Sequence, residues 1–247
     1  MKTSYLRSRL LQAFLAGILI VGPALAQAQE STADNGWQFA IAPYLWGSDI
    51  SGQGQRGFPI DVDIGDIVDN LESVLMVSFE ARKNKWMVLA DYVYLDLAAS
   101  GLRPVSGSEI NLNMEGTVFH LAGGYNLYQE KSRLDLIFGA RNLDLDIGLS
   151  ITGTSFSPSR SGNNLDAIIG VKGQLSLSKR WYLPYYVDVG TGDSDLSWQT
   201  TAGVSFRAAK WVDLALVYRH LEWEFKSDKL LQDISFSGPA FGAIFRF

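Results

Sequence analysis

The chain has 247 residues, a formal net charge of −5 at neutral pH, no cysteine and only two histidines. Without cysteine there is neither a disulfide framework nor a thiolate metal site. The acidic balance argues against nucleic acid as a partner, and the length suits one domain.

The first residues address the chain for export. Lys2, Arg7 and Arg9 precede an apolar run over 11–22, Pro23 breaks it, and Ala24-Leu25-Ala26 supplies small residues for cleavage. This is the pattern of a secretory signal peptide over 1–26, and cleavage after Ala28 fits as well. The run is too short for a retained anchor. Removal takes three of the 21 basic residues and leaves 18 against 26 acidic ones, a net charge of −8 on the domain 27–247. No later run of about 18 apolar residues follows, so no helical membrane span is expected.

From Trp37 onward apolar and polar residues alternate with period two, the mark of strands with two unlike faces. Ten segments read as strands: 37–47, 74–82, 86–97, 110–128, 133–151, 163–177, 181–189, 196–206, 211–225 and 234–247. Most reach the roughly ten residues that a tilted strand needs to cross a bilayer, whereas soluble strands are nearer five or six. Short polar links at 83–85, 129–132, 178–180 and 207–210 alternate with longer ones at 48–73, 98–109, 152–162, 190–195 and 226–233. Whether 58–64 adds a short strand to the first long link stays open. The pattern predicts an all-β fold: a transmembrane antiparallel up-and-down β-barrel of about ten strands, with short periplasmic turns and longer extracellular loops.

Charge and rings follow the same division. Lys83, Lys85, Lys131, Arg133, Lys179, Arg180 and Lys210 lie at the short turns, while the first long loop is acidic. Trp37, Trp86, Tyr125, Tyr128, Trp181, Tyr182, Trp211 and Phe247 fall beside the short turns; Tyr44, Trp46, Tyr92, Tyr94, Trp198 and Trp223 fall toward the long loops. Two levels of amphipathic rings are expected to form girdles at the two interfaces.

Face by face, Leu165, Ala167, Ile169 and Val171 oppose Asn164, Asp166, Lys172 and Gln174; Val187 and Val189 oppose Tyr186 and Asp188. The apolar side is assigned to lipid and the polar side to the lumen. Glu80, Arg82, Asp91, Glu115, Arg141 and Arg219 join Asp166, Lys172 and Asp188 as lumen charges. A charge facing lipid at mid-bilayer costs about 2–4 kcal/mol, and charges sharing a narrow interior are expected to pair.

Few motifs suggest chemistry. Gly52, Gly54 and Gly57 match G-x-G-x-x-G, but no strand–helix context surrounds them, so they read as a loop. Asp61, Asp63, Asp66 and Asp69 offer oxygen ligands for a hard divalent cation, although the spacing fails the EF-hand loop. One or two helical turns are expected over 66–72. His120 lies in the fourth predicted strand, and His220 near the outer end of the ninth. His220 beside Ser197 or Glu222 is the candidate base of a hydrolytic site; an interfacial histidine is the plainer reading.

The segments APYLWGSDISG, DVDIGDIVDNLE, FEARKNKW, ADYVYLDL and the terminal SGPAFGAIFRF resemble a family of uncharacterised proteobacterial outer-membrane β-barrel proteins. The likeness covers most of the mature chain. It implies a location and a barrel fold, and carries no catalytic or binding residue. The last strand, with Phe241, Phe245 and Phe247, resembles the signal read by the barrel-assembly machinery. The expected partners are therefore that machinery, outer-membrane lipid and lipopolysaccharide. No cofactor is expected beyond a divalent cation in the acidic loop. The leading functional expectation is a non-enzymatic barrel serving envelope integrity or the passage or binding of a small solute. The alternatives are an enzyme acting on lipid or peptide at the outer rim through His220, and a surface binding protein using the acidic first loop.

Overall fold

The structure, a computed structural model, describes residues 36–54, 59–63, 65, 67, 71–102, 110–151, 159–226 and 231–247. The expected signal peptide lies outside them. The strands are β1 (Gln38–Trp46), β2 (Asp49–Gly54), β3 (Pro59–Val62), β4 (Leu71–Lys83), β5 (Trp86–Leu102), β6 (Ile110–Gln129), β7 (Arg133–Ile151), β8 (Ser159–Ser176), β9 (Trp181–Gly192), β10 (Ser194–Arg207), β11 (Val212–Phe225) and β12 (Leu231–Arg246). β1 pairs with β4, each strand from β4 to β12 pairs antiparallel with the next, and β12 returns to β1. Ten strands thus close a ring with no free edge in its main body, the arrangement a bilayer demands because lipid satisfies no backbone hydrogen bond. The two-residue turn Asn84-Lys85 has Asn84 at φ 55°, a left-handed position that asparagine tolerates.

The first long loop is more ordered than its composition implied. β2 continues β1 along β12 in one register: Trp46 stands opposite Ala240, and Asp49 opposite Ser237. The break at Gly47-Ser48 lets the chain bend where a Cβ on Gly238 would lie 1.9 Å from the Gly47 carbonyl oxygen. β12 is the longer strand, and β2 covers the polar backbone edge that β1 leaves behind. The open segment 58–64 does hold a strand, β3, which folds back on β2. A helical turn is present at Gly65 and Ile67, with Ile67 N–H donating to the Asp63 carbonyl; Leu71 and Glu72, expected in loop and turn, already belong to β4.

The outer face is apolar. Ile169, Leu216 and Phe241 are 56%, 52% and 55% exposed on three different strands, and Ile41, Phe79, Val88, Leu121, Phe138 and Val187 continue the belt. Such a belt around a closed ring has one compatible solvent, hydrocarbon, so the barrel spans a membrane. The turn-end girdle stands as expected: Trp37, Trp86, Trp181 and Trp211 are exposed there, with Trp211 stacked on Phe245 and Trp86 edge-on to Tyr125. The loop-end girdle is thinner than expected. Trp46 and Trp223 point inward and are buried, Tyr44 turns inward to Asp91, and at the turn end Tyr182 is also buried inside.

These inward rings correct the expectation of a polar lumen throughout. The loop-side half is an apolar core of Trp46, Met76, Val93, Met114, Val118, Leu143, Leu145, Leu221, Trp223, Ile234 and Phe236. Ile50 from β2 and Ile67 from the helical turn complete it. The turn-side half carries most of the buried charges beside a smaller apolar cluster of Met87, Leu89, Ile137 and Tyr186, while Asp166, Asn164 and Ser194 are buried near the loop end of β8 to β10. The barrel therefore has two unlike halves, one filled by apolar packing and one lined largely by paired charges.

Candidate functional site

Alternation brings the lumen charges to one wall per strand, and ring closure chooses their partners. Asp91 on β5 accepts from Arg219 on β11 at 3.0 Å and from the Tyr44 hydroxyl of β1 at 3.0–3.1 Å. The same Arg219 donates to Gln199 at 3.0 Å and lies 4.6 Å from the Trp46 ring centroid. It is the floor of the apolar half and the roof of the polar one. Arg141 pairs with Asp188, both side chains fully buried. Tyr186 donates to Asp188 at 2.5 Å, and its oxygen lies 3.2 Å from His120 Nε2. Lower down, Lys172 meets Glu80 at 2.8 Å, and Glu80 also meets Arg82. Arg82 then donates to Asp135 at 2.7 Å. Asp166 is held by neutral donors, the Ser194 hydroxyl at 2.5 Å and the Asn164 amide at 3.2 Å.

Eight of the nine sequence-predicted lumen charges are inside. Glu115 is not. It sits on the outward face of β6, exposed, accepting from the Tyr94 hydroxyl at 3.1 Å. The reason is parity: Met114 and Val118 are the inward residues of that stretch. Sequence reading missed Asp135 and Asp213, both fully buried, and their partners Arg133 and Arg246. Asp135 has the parity of Arg141, and Asp213 that of Arg219, so counting by twos from those arginines would have found them.

Below Arg219 a cavity of about 290 Å³ opens toward the turn end. Tyr44, Glu80, Asp91, His120, Arg133, Lys172, Tyr186, Gln199 and Arg246 line it. Its charges are already paired with one another or with Asp135 and Asp213. The cup combines these paired charges with apolar wall from Leu89, Pro184, Val217 and Ile244 and presents no lone charge.

The acidic loop is only partly described. Asp63 Oδ1 accepts the Gly65 N–H at 2.7 Å, a turn-forming contact. Asp61 lies in β3, while Asp66 and Asp69 are outside the described residues. Phe241 and Phe247 are exposed, and Phe245 stacks on Trp211.

His220 occupies the outward face of β11 near its loop end. Its Nδ1 lies 2.5 Å from Ser237 Oγ on β12, and its Nε2 lies 3.0 Å from Glu222 Oε2. The Trp198 ring packs 4.4 Å away, centroid to centroid. Ser197, named as a partner from the sequence, is buried on the inward face of β10, so the serine beside His220 is another one. Ser237 stands directly opposite His220 in the β11–β12 ladder, a neighbour that only strand register reveals.

No family model matches the sequence, and no curated protein matches it. Solved structures do resemble it. The translocator domain of the autotransporter NalP from Neisseria meningitidis is 14% identical, with 100% of both chains covered and a TM-score of 0.46. The outer membrane protease OmpT from Escherichia coli is 8% identical, covering 89% of this chain and 99% of its own, with a TM-score of 0.49. Ail, the attachment invasion locus protein of Yersinia pestis, is 13% identical over 87% of this chain and 100% of its own, with a TM-score of 0.41. The membrane reading rests on the apolar belt around a closed ring.

Proposed function

We propose that the protein is a non-conducting barrel of the bacterial outer membrane, a member of the proteobacterial barrel family it resembles, serving envelope integrity. Its lumen holds a small polar solute from the turn side and passes none. One observation carries this reading: Trp46, Trp223, Phe236 and Ile67 pack together across the loop-side half, while the residues that line the cup of about 290 Å³ lie below them. That volume lies near the lower bound of small-molecule pockets, on the order of 300 Å³. The export pattern, the lipid belt and the exposed terminal aromatics support outer-membrane insertion by the barrel-assembly machinery, with lipopolysaccharide and phospholipid as surroundings. The turn end then faces the periplasm and the loop end the exterior.

The test is single-channel recording in planar bilayers. The expected result is a folded, inserted protein with no steady conductance. A stable pore on the nanosiemens scale overturns the proposal.

A further inference from the structure

We infer that Ser237, His220 and Glu222 form an ester-hydrolysing site on the outer surface of the barrel, acting on acyl esters of membrane lipid. The inference concerns the opposite face of the wall from the lumen reading and uses only the placement of the loop end in the outer leaflet.

The geometry has the parts of an activated serine. A neutral imidazole carries one proton. Placed on Nε2 it is donated to Glu222 Oε2 at 3.0 Å, and this leaves the Nδ1 lone pair free to accept the Ser237 hydroxyl at 2.5 Å. Nucleophile, base and orienting carboxylate are then joined in one line, the arrangement that defines such sites irrespective of chain order. All three side chains are partly buried, and Trp198 covers the imidazole from the β10 side. Thr200, directly across the β10–β11 ladder from His220, adds a hydroxyl to the same row.

Depth selects the substrate. Along the outward face of β11, Leu214, Leu216 and Tyr218 give way to His220, Glu222 and Glu224. Along β12, Phe241 and Pro239 give way to Ser237 and Ser235. Both strands change from apolar to polar at the row of the serine and the histidine. In a bilayer that is the level of the glycerol and acyl-ester groups, between tails and headgroups. A lipid lying against Phe241 and Leu216 brings its ester carbonyl to this row.

The reaction balances with water alone. Ser237 Oγ bonds to the ester carbonyl carbon as its proton passes to His220 Nδ1. The carbon–oxygen bond to the lipid alcohol breaks, and that alcohol leaves with the proton from His220. Water then attacks the acyl-serine and gives a proton to His220; the fatty acid departs and Ser237 recovers its proton. Ser237 and His220 are the catalytic residues, and Glu222 is a positioning residue.

The experiment uses the folded chain in detergent micelles and in phosphatidylethanolamine/phosphatidylglycerol vesicles. A fluorophosphonate probe is expected to label Ser237, and fatty acid release is expected from the vesicles. Ser237→Ala should abolish the label, and it and His220→Asn should each lower release about 10²-fold or more. Glu222→Gln should lower kcat with KM unchanged, and Glu222→Asp should recover part of the loss. All three side chains lie on the outer wall, so heat-shifted mobility on gels should remain that of the wild-type barrel. Absence of both label and fatty acid release in the wild type, or full activity in folded Ser237→Ala, overturns the inference while leaving the lumen reading untouched.

Discussion

Arg141 and Asp188 show what a single buried pair does in this barrel. Both side chains have no solvent contact, and Tyr186 supplies Asp188 with a further donor. Removing one partner leaves an uncompensated charge in a low-dielectric interior, a loss of roughly 3–5 kcal/mol. Arg141→Met alone should therefore lower urea-unfolding stability by about that amount. The double replacement Arg141→Met/Asp188→Leu should recover most of it, because packed apolar groups replace the pair without its desolvation cost. A double variant as unstable as the single one would show that the pair does more than cancel its own charge. Outside, the sign reverses: Ile169 is 56% exposed to lipid, and Ile169→Arg should weaken insertion into vesicles by about 2–4 kcal/mol. An equal effect in detergent and in lipid would contradict its lipid-facing assignment.

Among the elements, the β1–β2 break matters most. β1 closes the ring against β4 only through residues 38–43. Above that level the strand leaves β4, continues as β2 along β12, and brings Ile50 and Ile67 over the lumen. Gly238 makes this close approach tolerable, since any Cβ there would collide with the Gly47 carbonyl. Gly238→Val should detach β2 from β12 while leaving β4 to β11 paired. Hydrogen exchange should then rise in Asp49–Gly54 and stay low in β6 and β7. Uniform loss of protection would mean that the seam and the barrel fold as one unit.

At the scale of the molecule, closure has two causes in series. The loop-side half excludes water by packing, the ordinary hydrophobic term of roughly 25 cal/mol per Å² of apolar surface removed from water. The turn-side half is lined by charges paired with one another around the cup of about 290 Å³. Opening the first should expose the second, whose charged walls then become a conducting surface. The variant Trp46→Ala/Trp223→Ala is expected to pass ions in planar bilayers where the wild type does not. Silence from that variant, if folded, would place the barrier in the ion-pair layer.

Much of this architecture is written locally. Period-two alternation, strand length and the turn-end tryptophans announced a ten-strand membrane barrel, and eight lumen charges were legible, because facing lipid is a property each strand shows alone. Contacts across the lumen are not of that kind. Whether an inward residue meets a charge, a ring or another apolar group depends on how the ring closes and in which register. Thus Trp46 and Trp223, read as girdle, became core, and although parity alone places Asp135 and Asp213 inside, only closure pairs them with Arg82, Arg133 and Arg246. His220 found Ser237 and not Ser197 for the same reason: the first is its ladder neighbour and the second points through the wall, a distinction that hydrogen-bonded register makes and composition does not.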